Sequence, residues 1–382
     1  MSCTVTAWAP HEEGTFVLAH VPAETMELKF INLKQHSFDL GMLREVVRHG
    51  ITIQIEKSPI QRVVVPVSVN VTYVKIHRTY LKDMAIASVN VNMEALRISE
   101  SRLKSVPPTV VHLPAVRHIE IINSPIEAVN LNLFAKLQHL QQLNLSGNKI
   151  RFLHITGNGG DRFSSLREIF LSNNLLTTVS LHSFSGMKAL ETLDLQKNRI
   201  SRVQGLLVSD SLKTLDLSWN RLTTLYCCEW NLSNLTLFSA NDNALTWLPT
   251  CLVQAMPNID YLGLKSNALV DGNVWNVFTM EKLKRVDFSF NKLTSAVYSS
   301  VTPSLDILNL SNNRITRLSI PQAGRGLKII ASNNFIETFD PKSLSPNVTL
   351  LEMFCNPIDC SFNKALMRKG EEIQCIKRDQ KL

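Results

Sequence analysis

Ten asparagines, Asn148, Asn174, Asn198, Asn220, Asn243, Asn267, Asn291, Asn313, Asn334 and Asn356, recur at steps of 26, 24, 22, 23, 24, 24, 22, 21 and 22 residues. Each sits in the same apolar frame. Around Asn220 the chain reads Leu212-Lys213-Thr214-Leu215-Asp216-Leu217-Ser218-Trp219-Asn220-Arg221-Leu222, or L-x-x-L-x-L-x-x-N-x-L. A unit repeated this regularly in sequence is repeated in space. One coil of this size cannot bury its own apolar face, so the stack is the stable unit.

This frame is that of the leucine-rich repeat, and each position has a physical reason. The L-x-L pair forms a short strand with its leucines inward and the residue between them outward. The asparagine turns the chain out of the strand, and its amide both donates to and accepts from backbone groups that no regular ladder satisfies. The frame continues upstream with the asparagine replaced, through Ile53-x-Ile55-x-x-Ser58, Val74-x-Ile76-x-x-Thr79, Leu96-x-Ile98-x-x-Ser101 and Ile119-x-Ile121-x-x-Ser124, and more weakly through Leu28-x-Phe30-x-x-Leu33. The expected fold is an α/β leucine-rich repeat solenoid (a horseshoe) of about 14 coils. Its concave face is a parallel sheet, and a disulfide caps its C-terminal end. The expected organisation is an N-terminal cap over 1–27, the solenoid over 28–356 and a cysteine cap over 357–382.

Composition agrees with one repeated architecture: 45% apolar residues, 14 glycines and no low-complexity stretch in 382 residues. No apolar run reaches the ~18 residues needed to span a bilayer. Met1-Ser2-Cys3 reads as the start of an already trimmed chain rather than a signal peptide. The net charge of +8 is spread along the repeats rather than gathered in a stripe, which argues against nucleic-acid binding.

Cys228 and Cys251 each lie eight residues after a ladder asparagine, so they occupy one position on adjacent coils, where a bridge is geometrically reasonable. The alternative is two buried thiols. Cys3, Cys227 and Cys355 are left over, and the total of seven is odd, so at least one thiol is unpaired or bonded to another molecule. Asn-x-Ser/Thr acceptors occur at Asn70, Asn144, Asn231, Asn234, Asn309 and Asn347. Asn70, Asn234 and Asn347 share one frame position, nine residues before the ladder slot, and are the expected glycan sites. Asn144 and Asn309 fall on the concave sheet, where a glycan would obstruct the inner face.

The frame also reads out the inner face. Lys75, His77, Arg97 and His118 come from successive N-terminal coils, and Tyr261, Ile307, Ile330, Leu350 and Phe354 point outward toward the C-terminus. Exposed apolar patches mark partner surfaces; the competing reading is that these side chains are partly core. No catalytic or metal-binding constellation stands out, and no cofactor is expected. Asp194 and Asp216 are neighbouring carboxylates on an open sheet, whereas catalytic pairs need an enclosed pocket. His77 and His118 are two coils apart, ~10 Å, too far to share a metal ion unaided. The chain therefore reads as a binding protein, not an enzyme.

Asn356-Pro357-Ile358-Asp359-Cys360, followed by Ala365-Leu366-Met367-Arg368 and Cys375, resembles the end of the repeat domain in the mosquito leucine-rich immune proteins. The upstream coils, with serine in the asparagine slot and Ile126 and Val129 after Ser124, are similar too. The resemblance implies a Cys360–Cys375 disulfide pinning a capping helix. It implies secretion into extracellular fluid, innate-immune recognition and a complement-like thioester protein as partner. It also implies pairing with another leucine-rich repeat protein, in a disulfide-linked or non-covalent dimer. Two features differ from that family: no heptads precede Leu382, and Cys3 has no second cysteine in the first two hundred residues. The alternative function is the ligand-binding ectodomain of a membrane receptor or adhesion protein. A cytosolic scaffold is the third reading, and it predicts free thiols and empty acceptor sites.

Overall fold

The computed structural model describes residues 1–47, 50–67, 69–155 and 163–358. They form leucine-rich repeat coils divided between two compact units, Met1–Asn198 and Arg199–Leu382. In the first unit nine strands pair in parallel, in chain order: β1 (Ser2–Thr6), β2 (Glu27–Ile31), β3 (Ile51–Glu56), β4 (Val71–His77), β5 (Ala95–Ser99), β6 (His118–Ile122), β7 (Gln142–Asn144), β8 (Glu168–Phe170) and β9 (Thr192–Asp194). In the second unit seven do the same: β10 (Thr214–Asp216), β11 (Leu237–Ser239), β12 (Tyr261–Gly263), β13 (Arg285–Asp287), β14 (Ile307–Asn309), β15 (Leu327–Ile330) and β16 (Val348–Glu352).

Most coils set two apolar residues, in the strand or directly after it, into the core. Leu215 and Leu217, Ile53 and Ile55, and Leu308 and Leu310 are all fully buried. The far side of the coils is closed by short parallel strands, such as Ser37–Asp39 with Arg62–Val65, and by 3₁₀ turns. The two α-helices among the described residues, Pro10–Glu13 and Leu252–Ala255, have four residues each. Short coils leave no room for longer ones.

The sheet begins earlier than the leucine frame suggests. Within the segment read as a cap, Ser2–Thr6 pairs with β2 from Ser2↔Glu27 to Thr6↔Ile31. Trp8 takes the ladder position of this first coil. It is buried, stacks on Phe30 at 5.7 Å and meets Phe38 edge-on.

The asparagine ladder runs through both units. Asn148 donates from its amide to the carbonyls of Ile121 and Leu145 at 2.7 Å each, and its oxygen accepts Ser124 N–H at 3.0 Å. Asn174, Asn198, Asn243, Asn291, Asn313, Asn334 and Asn356 donate in the same way to their own coil and the preceding one. The hydroxyl slots do part of this work. Ser58 accepts Leu33 N–H at 3.0 Å and Ser124 accepts Ser101 N–H at 3.2 Å, while the buried Thr79 hydroxyl has no partner among the described residues.

One backbone feature accompanies nearly every slot. The residue before it is left-handed: Lys57, Arg78, Glu100, Asn123, Asn173, Lys197, Trp219, Asp242, Ser266, Phe290, Asn312, Asn333 and Cys355 all have φ between 48° and 57°, and Gly147 has 72°. This turn aims the residue's N–H at the next coil, as in Trp219 N–H to the Asn241 carbonyl at 2.8 Å. Glycine and asparagine tolerate that conformation best. Tryptophan and phenylalanine hold it here while 54% and 50% exposed.

Candidate functional site

The inner faces of the two sheets carry the side chains available to a ligand. In the first unit, parallel pairing places Lys29, Gln54, Lys75, Arg97 and Glu120 in one row across β2 to β6. The neighbouring row runs Ile31, Glu56, His77, Ser99 and Ile122. Lys29 pairs with Glu56 at 2.9 Å and Arg97 with Glu120 at 3.0 Å. Burial pushes the Glu56 carboxyl up, but hydrogen bonds from Lys29 and Gln54 and the charges of Lys29 and Lys75 outweigh it and hold the group below its ordinary value. With both carboxylates engaged, Lys75 has no ion pair of its own among the described residues. His77 shares a hydrogen bond with the Ser99 hydroxyl at 2.9 Å and lies 3.9 Å from Glu100, which also holds Arg78 at 2.9 Å. His118 stands in a third row, beside Ala95 and Gln142. The basic residues picked from the frame thus share one face, with Arg97 and His77 held in ion-pair and hydrogen-bond contacts and Lys75 without an ion pair among the described residues.

In the second unit the outermost row is Leu237, Tyr261, Arg285, Ile307, Lys328 and Leu350, each paired directly with the next. Tyr261, Ile307 and Leu350 are half-buried, while Arg285 and Lys328 between them are exposed. Burial raises the Tyr261 phenol above its usual value, against a hydrogen bond with Asn241. Ile330 is half-buried in the next row between Asn309 and Glu352, and Phe354 is 38% exposed. Reading apolar outward residues alone gives a continuous patch; the register interrupts it with two cations. Arg285 and Lys328 stand at the same offset from their ladder asparagines as Tyr261 and Ile307, so the frame that located the apolar residues also locates these.

The carboxylates of the sheet have structural work. Asp194 accepts Gln196 N–H at 3.0 Å, Asp216 accepts Ser218 N–H at 2.8 Å and Asp287 accepts Ser289 N–H at 2.9 Å. Asn144 and Asn309 do the same for Ser146 and Ser311, at 3.0 and 3.1 Å. These side chains close the turn out of the strand, and an acceptor is what that turn requires. Two clefts, one lined by Leu18, Val21, Met42, Glu45 and Val46 and one by Pro249, Leu252, Asn273 and Asn276, bring together no pair of titratable groups. Among the described residues no cluster of three or more His, Cys, Asp or Glu side chains could hold a metal ion.

Cys228 and Cys251 form a disulfide with Cα atoms 5.0 Å apart. Cys227 is a buried free thiol, pushed up by burial, while Cys3 and Cys355 are free and half-buried. Cys360 and Cys375 lie outside the described residues. Of the acceptor asparagines, Asn234 and Asn347 are exposed and Asn70 half-buried. Asn234 donates to the Asp210 carbonyl at 2.7 Å and Asn347 to the Ala323 carbonyl at 2.9 Å. Asn258, which has no acceptor motif, makes the same bond to Ser233 at 2.8 Å, so this frame position has a structural use of its own.

Family models described as leucine rich repeat match residues 91–150, 151–200, 208–224 and 304–325. Lumican of Oryctolagus cuniculus is 31% identical over 183 residues, 46% of this chain and 88% of that protein. Osteomodulin of Bos taurus is 27% identical over 244 residues, 57% of this chain and 56% of that protein, so this chain spans little more than half of it. A chain of the LRIM1/APL1C complex is similar with a TM-score of 0.66 at 18% identity, covering 100% of this chain and 68% of that one. A chain of the Drosophila Toll–Spatzle complex gives 0.68 at 18% identity, covering 89% and 53%. At such identities the likeness to these structures is one of fold.

Proposed function

Because this chain belongs to the leucine-rich repeat family, we propose that it works as an extracellular protein-binding module, a soluble innate-immune recognition factor acting with a complement-like thioester protein. The observation that carries the binding reading is the pair of open sheet faces, where Lys75, Arg285 and Lys328 stand without ion pairs of their own among the described residues. Charged groups left unpaired on an open sheet face are free to recognise a partner's charges, and they favour encounter and specificity. The Cys228–Cys251 disulfide supports an oxidising compartment. No helix among the described residues is long and apolar enough to cross a membrane. The immune assignment is supported by the cap motif at Asn356–Cys360 and by the likeness to the LRIM1/APL1C complex, which also makes a second leucine-rich repeat protein a reasonable partner, by disulfide or non-covalent contact. Asn70, Asn234 and Asn347 are the proposed glycan sites.

The alternative is the ligand-binding ectodomain of a receptor or adhesion protein, supported by the likeness to Toll in its complex with Spatzle. The deciding experiment is a pull-down from extracellular fluid with the secreted, glycosylated chain as bait, read by mass spectrometry. Capture of a thioester protein is the expected result. Its loss with Ile307, Ile330 and Phe354 all replaced by Ser, at unchanged thermal stability, would place the contact on the second unit's inner face. Capture of membrane-protein fragments alone would favour the receptor reading.

A further inference from the structure

The outer row of the second sheet alternates in character with the strands. From Tyr261 through Arg285, Ile307 and Lys328 to Leu350, apolar and cationic side chains take turns, each on the strand directly paired with the last. Neither Arg285 nor Lys328 has an ion pair among the described residues, while one carboxylate oxygen of the nearby Asp287 accepts from the Ser289 backbone and hydroxyl at 2.9 and 2.6 Å. Adjacent strands lie ~4.8 Å apart, so a ligand running across the strands meets a side chain about every 5 Å and one of the same kind about every 10 Å.

Few polypeptide conformations deliver that rhythm from one face. A β-strand presents same-face residues every ~6.7 Å, and a polyproline helix every ~9.3 Å with nothing between. An α-helix presents i, i+3/i+4 and i+7 on one face, at about 5 and 10.5 Å. Four strand steps amount to roughly 19 Å, or about thirteen helical residues. The mismatch over that length is about 2 Å, within reach of the flexible Arg285 and Lys328 side chains.

We propose that this row docks an amphipathic α-helix of a partner protein, laid across the strands, with acidic residues over Arg285 and Lys328 and apolar residues over Tyr261, Ile307 and Leu350. The inference rests on the protein-binding reading above and deepens it by giving the partner's chemistry.

The test is a displayed library of Ala-based helices of about fourteen residues with one face randomised, selected against the full chain. The expected winners carry Asp or Glu seven residues apart, with apolar residues a turn away from each. Arg285→Glu with Lys328→Glu should weaken their binding roughly tenfold at unchanged melting temperature, and Lys in place of the acidic residues should restore it. Winners without that acidic spacing, binding indifferent to the charge reversal, or no enrichment at all would overturn the proposal. Capture of a thioester protein by a chain that selects no such helices would sink this inference alone. A helix-binding chain that captures no extracellular protein would sink the extracellular immune reading and leave the protein-binding reading and this inference standing.

Discussion

The side-chain oxygen of Asn267 accepts the backbone N–H of Leu245, one coil earlier, at 2.9 Å. The same side chain donates to the carbonyls of Ala240, Leu264 and Lys265 at 2.9, 3.1 and 3.2 Å, so one amide serves four part-buried backbone groups on two coils. Asn267→Ala leaves the Leu245 N–H without its acceptor, while the Ala240 and Leu264 carbonyls lose one of two amide donors and keep those of Asn243 and Asn291. The expected cost is about 1–3 kcal/mol, read from urea unfolding. A midpoint equal to wild type would show that water replaces the amide at no loss.

Cys228 and Cys251 are 23 residues apart and join adjacent coils. The bridge limits the unfolded chain, and replacing both by Ser should cost about 2–4 kcal/mol. A reducing agent should lower the melting temperature of the wild-type chain by more than that of the double variant. If the reductant shifts both alike, the bridge contributes nothing to stability.

Glu56 is held below its ordinary value of 4.5 by Lys29, Gln54 and Lys75. A depressed folded value means the unfolded chain takes up the proton first. The stabilising contribution is therefore present above about pH 4.5 and fades as the pH falls through the lower folded value. Glu56→Gln should be less stable than wild type at neutral pH, and the gap should close on acidification. A gap that is constant with pH would mean the loss is one of packing rather than charge.

Trp219 holds a left-handed backbone with φ of 57° while more than half exposed. Asparagine occupies the equivalent position at Asn173, Asn312 and Asn333. Trp219→Asn should raise stability by about 0.5–1 kcal/mol by relieving that conformation. Lower stability in thermal unfolding would show that the indole makes contacts worth more than the strain.

The coils were legible because the leucines and the slot asparagine repeat as chemistry: Leu217 must be apolar, and Asn220 must both donate and accept. The left-handed residue before the slot was not, because the backbone fixes its shape while its side chain faces solvent, so Lys57, Glu100, Trp219 and Phe290 share one conformation and no composition. The first strand was hidden for a related reason. Trp8 fills a ladder position with an aromatic ring, and a search keyed to amides and hydroxyls passes over it. On the inner face, Tyr261 and Ile307 stood out as apolar residues at outward positions. Arg285 and Lys328 stand at the same offset but carry no apolar signal, and the strand pairing is what sets them between the apolar residues. The roles of Asp194 and Asp216 depended on a turn geometry that sequence spacing does not display.

The unbroken register of the second sheet from β10 to β14 gives its surface a fixed unit of length. Because each strand pairs with the next residue for residue, as Tyr261 with Arg285 and Arg285 with Ile307, chemical groups along a row can be separated only by whole multiples of one strand spacing. A substitution changes what stands at a mark, and only the gain or loss of an entire coil changes how far apart two marks are. Such a face behaves as a graduated scale, and whatever binds across it must keep time with that graduation.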